Sequence, residues 1–274
     1  MLGLLLLQVL ASCLCLAHSE VVDSFASCPK FFYERTTPND VLLPQNPAWI
    51  CQVYSNSPRF ATLYDRDRRI PAYSAYIYQP GPGNRSNTWF VEPQLIKRTY
   101  SKDMDTEDSI EKKYGITPQE IAKTQAINQD YKNLKDLDRG HLSPSGHQSG
   151  NNSKWTTFTL TNIVPQNTEL NKGAWNDYES RTMAQKTQGC ATTHVIVGAV
   201  PGNTYISNNR VNVPSHIWSA ACCLVGTRPK RAWGAIAEND KNQVQNLTLA
   251  QLEARLSQLY GRGQVFLFHS DCPR

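Results

Sequence analysis

The chain has 274 residues, 40% hydrophobic and 19% charged, which is ordinary for a globular protein and too apolar for a disordered one. Its 15 Gly and 16 Pro exclude collagen-like and low-complexity classes, and no internal repeat suggests a solenoid or propeller. Lys and Arg number 28 against 23 Asp and Glu, a formal charge of +5; this mild excess favours the approach of a polyanion but falls short of a dedicated DNA-coating protein.

Residues 1–17 are rich in leucine and uncharged, too short a run for a membrane span, which needs about 20 apolar residues. No Lys or Arg precedes the run, but its length and the Ala17-His18-Ser19 triplet fit a secretory signal. Residues 1–19 therefore read as a signal peptide, and 20–274 as the mature domain. No later stretch reaches membrane length, so the expected location is secreted and extracellular, with no membrane partner. Removing the leader discards Cys13 and Cys15 and leaves Cys28, Cys51, Cys190, Cys222, Cys223 and Cys272. An even set in an exported chain implies disulfides, with the pairing open. Adjacent Cys222 and Cys223 on a strand should face opposite sides and bond different partners. Asn84, Asn151 and Asn246 head glycosylation triplets.

Along the chain, 60–64 and 70–78 read as a β-hairpin around the polar stretch 65–69, ended by Pro80-Gly81-Pro82-Gly83-Asn84. Thr117-Pro118-Gln119-Glu120 has the form of a capping box and predicts a helix to about residue 128. Residues 143–153 read as a loop, and 155–164 have a strand's β-branched and aromatic bias. Thr168 is placed to cap a helix over 169–188, stopped by Gly189. Strands are expected at 194–200, 217–224, 231–237 and 265–268. A second capping box at Thr248 opens a helix with Leu249, Leu252, Leu256 and Leu259 on one core-facing stripe. With no linker evident, the fold class is α+β: one domain with a central antiparallel sheet flanked by helices.

The chemistry concentrates in one stretch. Asp138-Arg139-Gly140-His141 is followed by Asn162-Ile163-Val164-Pro165-Gln166, then Leu170-Asn171-Lys172-Gly173-Ala174-Trp175 and Glu179. His141 is the proton acceptor suited to neutral pH. The Asn171 carbonyl suits a hard ion that keeps its waters, Mg²⁺ or also Mn²⁺. On one continuous helix, Asn171 and Glu179 lie about 80° and about 12 Å apart, so Glu179 reaches a metal-bound water rather than the ion.

These motifs, in this order and spacing, resemble the DNA/RNA non-specific endonucleases, a family that includes secreted bacterial nucleases and mitochondrial endonuclease G. The likeness covers roughly residues 60–268. With Cys28-Pro29-Lys30-Phe31-Phe32 and the stretch from Arg69 to Tyr76, the chain looks most like the secreted endonuclease domain-containing 1-like members. The resemblance implies a ββα-metal active site and cleavage of DNA and RNA with low sequence preference. By it, His141 is the general base, Asn171 the single direct metal ligand, Glu179 the holder of a metal-bound water, and Arg139 a phosphate contact. Asn162 and Gln166 support the site. One departure stands out: where the family has a substrate arginine just before a Trp, this chain has Asn87-Thr88-Trp89, with Arg85 out of register. That departure motivates a rival reading, a catalytically weak nuclease fold that only binds. If His141 is the base, activity should rise with pH through a value near the reference of about 6.5, lowered by a nearby cation.

Overall fold

The computed structural model describes residues 20–274; the signal peptide read at 1–19 lies outside the described residues. Among them, an antiparallel eight-stranded sheet runs in the order β1-β2-β3-β4-β7-β10-β11-β12. Its strands are β1 (Val21–Val22), β2 (Pro47–Tyr54), β3 (Ser57–Asp65), β4 (Ile70–Ile77), β7 (Thr192–Val200), β10 (His216–Val225), β11 (Arg228–Glu238) and β12 (Gln245–Leu247). β5 (Leu137–His141) pairs with β6 (Ile163–Asn167), and β8 (Thr204–Ile206) with β9 (Val211–Val213). The architecture is the expected α+β. No helix among the described residues is long and apolar enough to cross a membrane.

The alternation of each strand sorts its side chains into two layers. On β7, Val195, Val197 and Ala199 face one core while Ile196 and Val200 face the other; on β10, Ala221 and Cys223 oppose Ala220 and Cys222. Adjacent Cys222 and Cys223 thus bond different partners, Cys272 and Cys190, and Cys28 bonds Cys51. The second layer is covered by short N-terminal turns and by the helix Leu249–Tyr260, whose Leu249, Leu252 and Leu256 are fully buried. Thr248 caps that helix in a capping box with Gln251, and Gly261 ends it at φ 60°, a left-handed angle that glycine adopts without a Cβ clash.

β4 and β7 are sheet neighbours, pairing Tyr73 with Gly198 through Ile77 with His194. Residues 78–191 form one excursion between them. It contains β5, β6 and the helical run that follows, and it packs against the first layer.

Several local expectations are corrected. Residues 155–164 are not one strand: a helix covers Asn151–Thr156, a 3₁₀ turn covers Leu160–Asn162, and the strand begins at Ile163. Phe158 and the threonines there are buried by tertiary packing, which overrides β propensity. The helix from Thr117 lasts only Pro118–Ile121, and residues 265–268 form no strand and do not join the sheet. There Leu267 N–H bonds Glu253 Oε1 in place of a strand partner. Asn167, not Thr168, caps the next helix, its side chain accepting from Leu170 N–H. The strand Pro47–Tyr54 and the helix Glu107–Tyr114 carry no clean periodic signal and appear only in the fold.

Candidate active site

β5 ends on His141, and antiparallel β6 leads directly into the helix Thr168–Lys172. This ββα arrangement brings the His141 and Asn171 motifs to one cleft of about 640 Å³, lined by His141, Arg139, Asn171, Glu179, Arg85 and His147 among others, while Asn162 and Gln166 are fully buried and do not line it. Gly140 is required sterically: a Cβ there would lie 2.2 Å from Gln166 Oε1, closer than packed atoms approach.

His141 is wedged among aromatic rings, its centroid 4.8 Å from Phe158 and 5.6 Å from Trp89. Its Nε2 is buried without a hydrogen-bond partner among the described residues, an orphan that calls for a water or substrate atom. Burial, helped by the Arg85 charge, lowers its pKa to about 3. The imidazole is therefore neutral well below the window expected from the sequence. Asn162 anchors the loop after it: its amide donates to Ser143 O at 3.0 Å and Thr157 O at 2.9 Å, and accepts from Ser143 N–H and from Ser74 Oγ, each at 2.9 Å.

Asn171 Nδ2 donates to Asp138 Oδ2 at 3.1 Å. With the amide nitrogen committed, the oxygen is the end left to ligate, which gives Asp138 an orienting role the sequence reading did not assign. No cluster of three or more His, Cys, Asp or Glu able to hold a metal occurs among the described residues. The donor set fits an ion held by one neutral oxygen and completed by waters.

The helical run is not the continuous helix expected at 169–188. It breaks at Gly173, resumes at Ala174–Asp177, passes through a π turn at Tyr178–Thr182 and ends at Met183–Lys186. Glu179 sits in the π turn, so the phase calculated for a regular helix does not hold. Its Oε1 accepts from Trp175 Nε1 at 2.9 Å. Burial pushes its pKa up to about 8, with Trp175 and Arg85 opposing, although one edge of the residue stays open to the cleft.

Arg139 is stacked, its guanidinium 4.7 Å from the Trp89 centroid and 5.4 Å from Tyr131, with Nη2 donating to Asn128 O at 3.3 Å. Desolvation lowers its pKa. Arg85, set aside in the sequence as out of register, lines the cleft; Nη1 donates to Ser145 Oγ at 2.9 Å and the guanidinium lies 5.1 Å from the Phe158 centroid. Asn87 is not among the cleft-lining residues. His147, which carried no motif, lies beside Glu179.

Fold and site together define a class. The DNA/RNA non-specific endonuclease family profile matches residues 37–273, and the chain belongs to that family. It is 34% identical over 206 residues to the endonuclease domain-containing 1 protein of Homo sapiens, covering 73% of this chain and 39% of that protein. The Mus musculus counterpart is 30% identical over 241 residues, covering 85% of this chain and 46% of that protein. This chain thus spans less than half the length of these curated relatives. Mitochondrial endonuclease G of Bos taurus is 28% identical over 171 residues, or 55% of this chain and 52% of that protein. Among solved structures, the EndoG/EndoGI complex matches with TM-score 0.51 and 18% identity, over 78% of this chain and 84% of that chain. This last likeness concerns the fold.

Proposed function

We propose that the chain is a secreted, divalent-metal-dependent endonuclease that hydrolyses phosphodiester bonds in DNA and RNA with little sequence preference. The observation that carries this reading is the convergence of His141, Asn171, Glu179, Arg85 and Arg139 on one cleft. In it, His141 takes a proton at Nε2 from the attacking water, a role supported by a neutral ring with that atom unpartnered. Asn171, its nitrogen held by Asp138, offers its oxygen to Mg²⁺ or Mn²⁺, which when bound supplies Lewis-acid charge neutralisation at the phosphate and the departing 3′-oxygen. Glu179 would hold a water of that ion's shell. Arg85 and the exposed edge of Arg139 contact backbone phosphates, which are common to every sequence and to both nucleic acids. Arg85 in the cleft supports the catalytic reading over a purely binding fold, since it offers an arginine where Asn87 does not. Secretion is supported by the leader-like residues 1–17 and by the three disulfides. Purified protein starting at Glu20 should nick supercoiled plasmid with Mg²⁺ and stop on adding EDTA; nicking that is absent, or indifferent to EDTA, overturns the reading.

A further inference from the structure

We infer that His147, held by Tyr76, is a positioning residue for Glu179: it fixes the π turn that aims the Glu179 carboxylate into the cleft. The inference rests on the nuclease reading only for what Glu179 does once aimed.

His147 is 4% exposed on the 3₁₀ turn Ser145–His147, which is tied to the end of β4 by Gln79 N–H donating to His147 O at 2.9 Å. Its Nε2 lies 2.9 Å from the backbone oxygen of Glu179, and its Nδ1 lies 2.8 Å from the Tyr76 hydroxyl. A carbonyl oxygen only accepts, so Nε2 carries the hydrogen. A neutral imidazole has one such hydrogen, so Nδ1 accepts from Tyr76. The geometry thereby selects one tautomer and satisfies every polar atom of the ring. Tyr76 is fully buried on a central strand, and the Tyr78 ring packs edge-on against the imidazole at 4.7 Å. The relay therefore starts from a rigid part of the sheet.

The other end of the relay is the irregular turn. Met183 N–H bonds Tyr178 O, five residues back, in place of the four-residue step of an α-helix. The wider turn gives the Met183 N–H to Tyr178 O, where a regular helix would give it to Glu179 O. The Glu179 carbonyl meets the His147 N–H, while its carboxylate meets the Trp175 indole. The two donors grip the residue at both ends. An apolar side chain at 147 would fill the space but leave the Tyr76 hydroxyl buried without this partner and the turn without its anchor.

The test reads position separately from activity. In ¹⁵N spectra of the metal-free protein, His147 should show the Nε2–H tautomer, and the Trp175 indole N–H should report where the Glu179 carboxylate sits. His147→Ala should shift the Trp175 resonance and leave that of Trp218, across the sheet, in place. His147→Gln, whose amide can donate to the same carbonyl, should restore it. In plasmid cleavage His147→Ala should lower kcat by about 10- to 100-fold with KM for DNA nearly unchanged, and cause no further loss when Glu179 is already Gln. If His147→Ala does not fold, Tyr76→Phe should give a smaller shift in the same direction. An Nδ1–H tautomer, an unmoved Trp175 resonance, or equal losses with and without the Glu179 carboxylate overturns the inference. A parent protein that cuts no nucleic acid defeats the nuclease reading instead, and the spectra still decide the positioning.

Discussion

The two faces of the same sheet are built differently. On the face behind the site, alternate positions are apolar: Leu63, Tyr73, Ala75 and Ile196 share one buried cluster with the leucines of the helix Leu249–Tyr260, with the Cys28–Cys51 and Cys222–Cys272 bridges in the same layer. On the site face, β2, β3, β4 and β10 each contribute a buried polar residue among the apolar ones. Gln52 donates to Thr161, Thr62 pairs with Ser74, Ser74 donates to Asn162, and Ser219 accepts from Tyr178. Apolar packing tolerates small shifts of its members, whereas a satisfied polar network fixes directions. One face supplies stability, and the other supplies aim.

The sharpest test of this division is His141→Ala. Loss of a general base should lower the cleavage rate by about two to four orders of magnitude with the melting temperature nearly unchanged; near-parental nicking would remove His141 from the chemistry. Leu252→Ala on the opposite face should do the reverse, costing about 2–5 kcal/mol of stability. Its kcat/KM at a temperature where it remains folded should match the parent, and a matching fall in activity would break the comparison.

Reduction of the disulfides comes next. Each bridge should contribute about 2–4 kcal/mol, read as the drop in denaturation midpoint on reduction. Six free thiols by mass spectrometry under non-reducing conditions would contradict the three bridges and, with them, the support they lend to export.

The pH dependence of stability concerns the site face. Unfolded Glu179 releases its proton near the reference of about 4.3, whereas the folded carboxyl holds it to about 8; stability therefore falls as pH rises through that window. Unfolded His141 and His147 gain protons near about 6.5, while the folded rings stay neutral to about 3 and about 4; stability therefore also falls as pH drops below that reference. Because Glu179 keeps an edge in the cleft, its contribution is discounted to about 1 kcal/mol, or about 2–4 °C in melting temperature. Melting scans from pH 5 to 9 without divalent ions should lose the alkaline decline in Glu179→Gln; a decline that persists unchanged assigns it elsewhere.

The smallest effect concerns the phosphate contacts. Arg85→Ala should raise KM for DNA roughly tenfold and flatten its salt dependence by about one unit of log–log slope. Asn87→Arg should change neither, because residue 87 lies outside the cleft lining. The opposite pattern restores the register read from the sequence.

What the sequence disclosed followed from how local the signal was. DRGH, the Asn162 motif and the Asn171 motif are contiguous strings; the first and third line one cleft, and Asn162 is buried beside it, bonded to the loop that follows His141. The capping box at Thr248 and the leucine stripe predicted their helix because all its determinants lie within that segment. Arg85 and His147 were hidden for the opposite reason. Arg85 lies on a loop, and its guanidinium is held at the cleft by Ser145 and Phe158, which are distant in the chain. His147 gains its role from Tyr76 and Glu179, which are far from it in the chain. The π turn was equally invisible, since its residues are unremarkable helix formers and the irregularity is anchored from outside the helix.

The long excursion at residues 78–191 also bears on how the protein reaches its native state. Its two ends meet at the β4–β7 seam, so that seam cannot zip until the loop between them has been closed, an entropic toll that grows slowly with length yet comes before any strand-pairing reward. The two halves of the sheet should therefore dock slowly and late. Once they dock, the insert should open locally before the seam does, because its own strand pair is short and has two strands while the seam lies inside the eight-stranded sheet. Native-state amide exchange should then find the amides of β5 and β6 opening at lower free energy than those of β7 and β10.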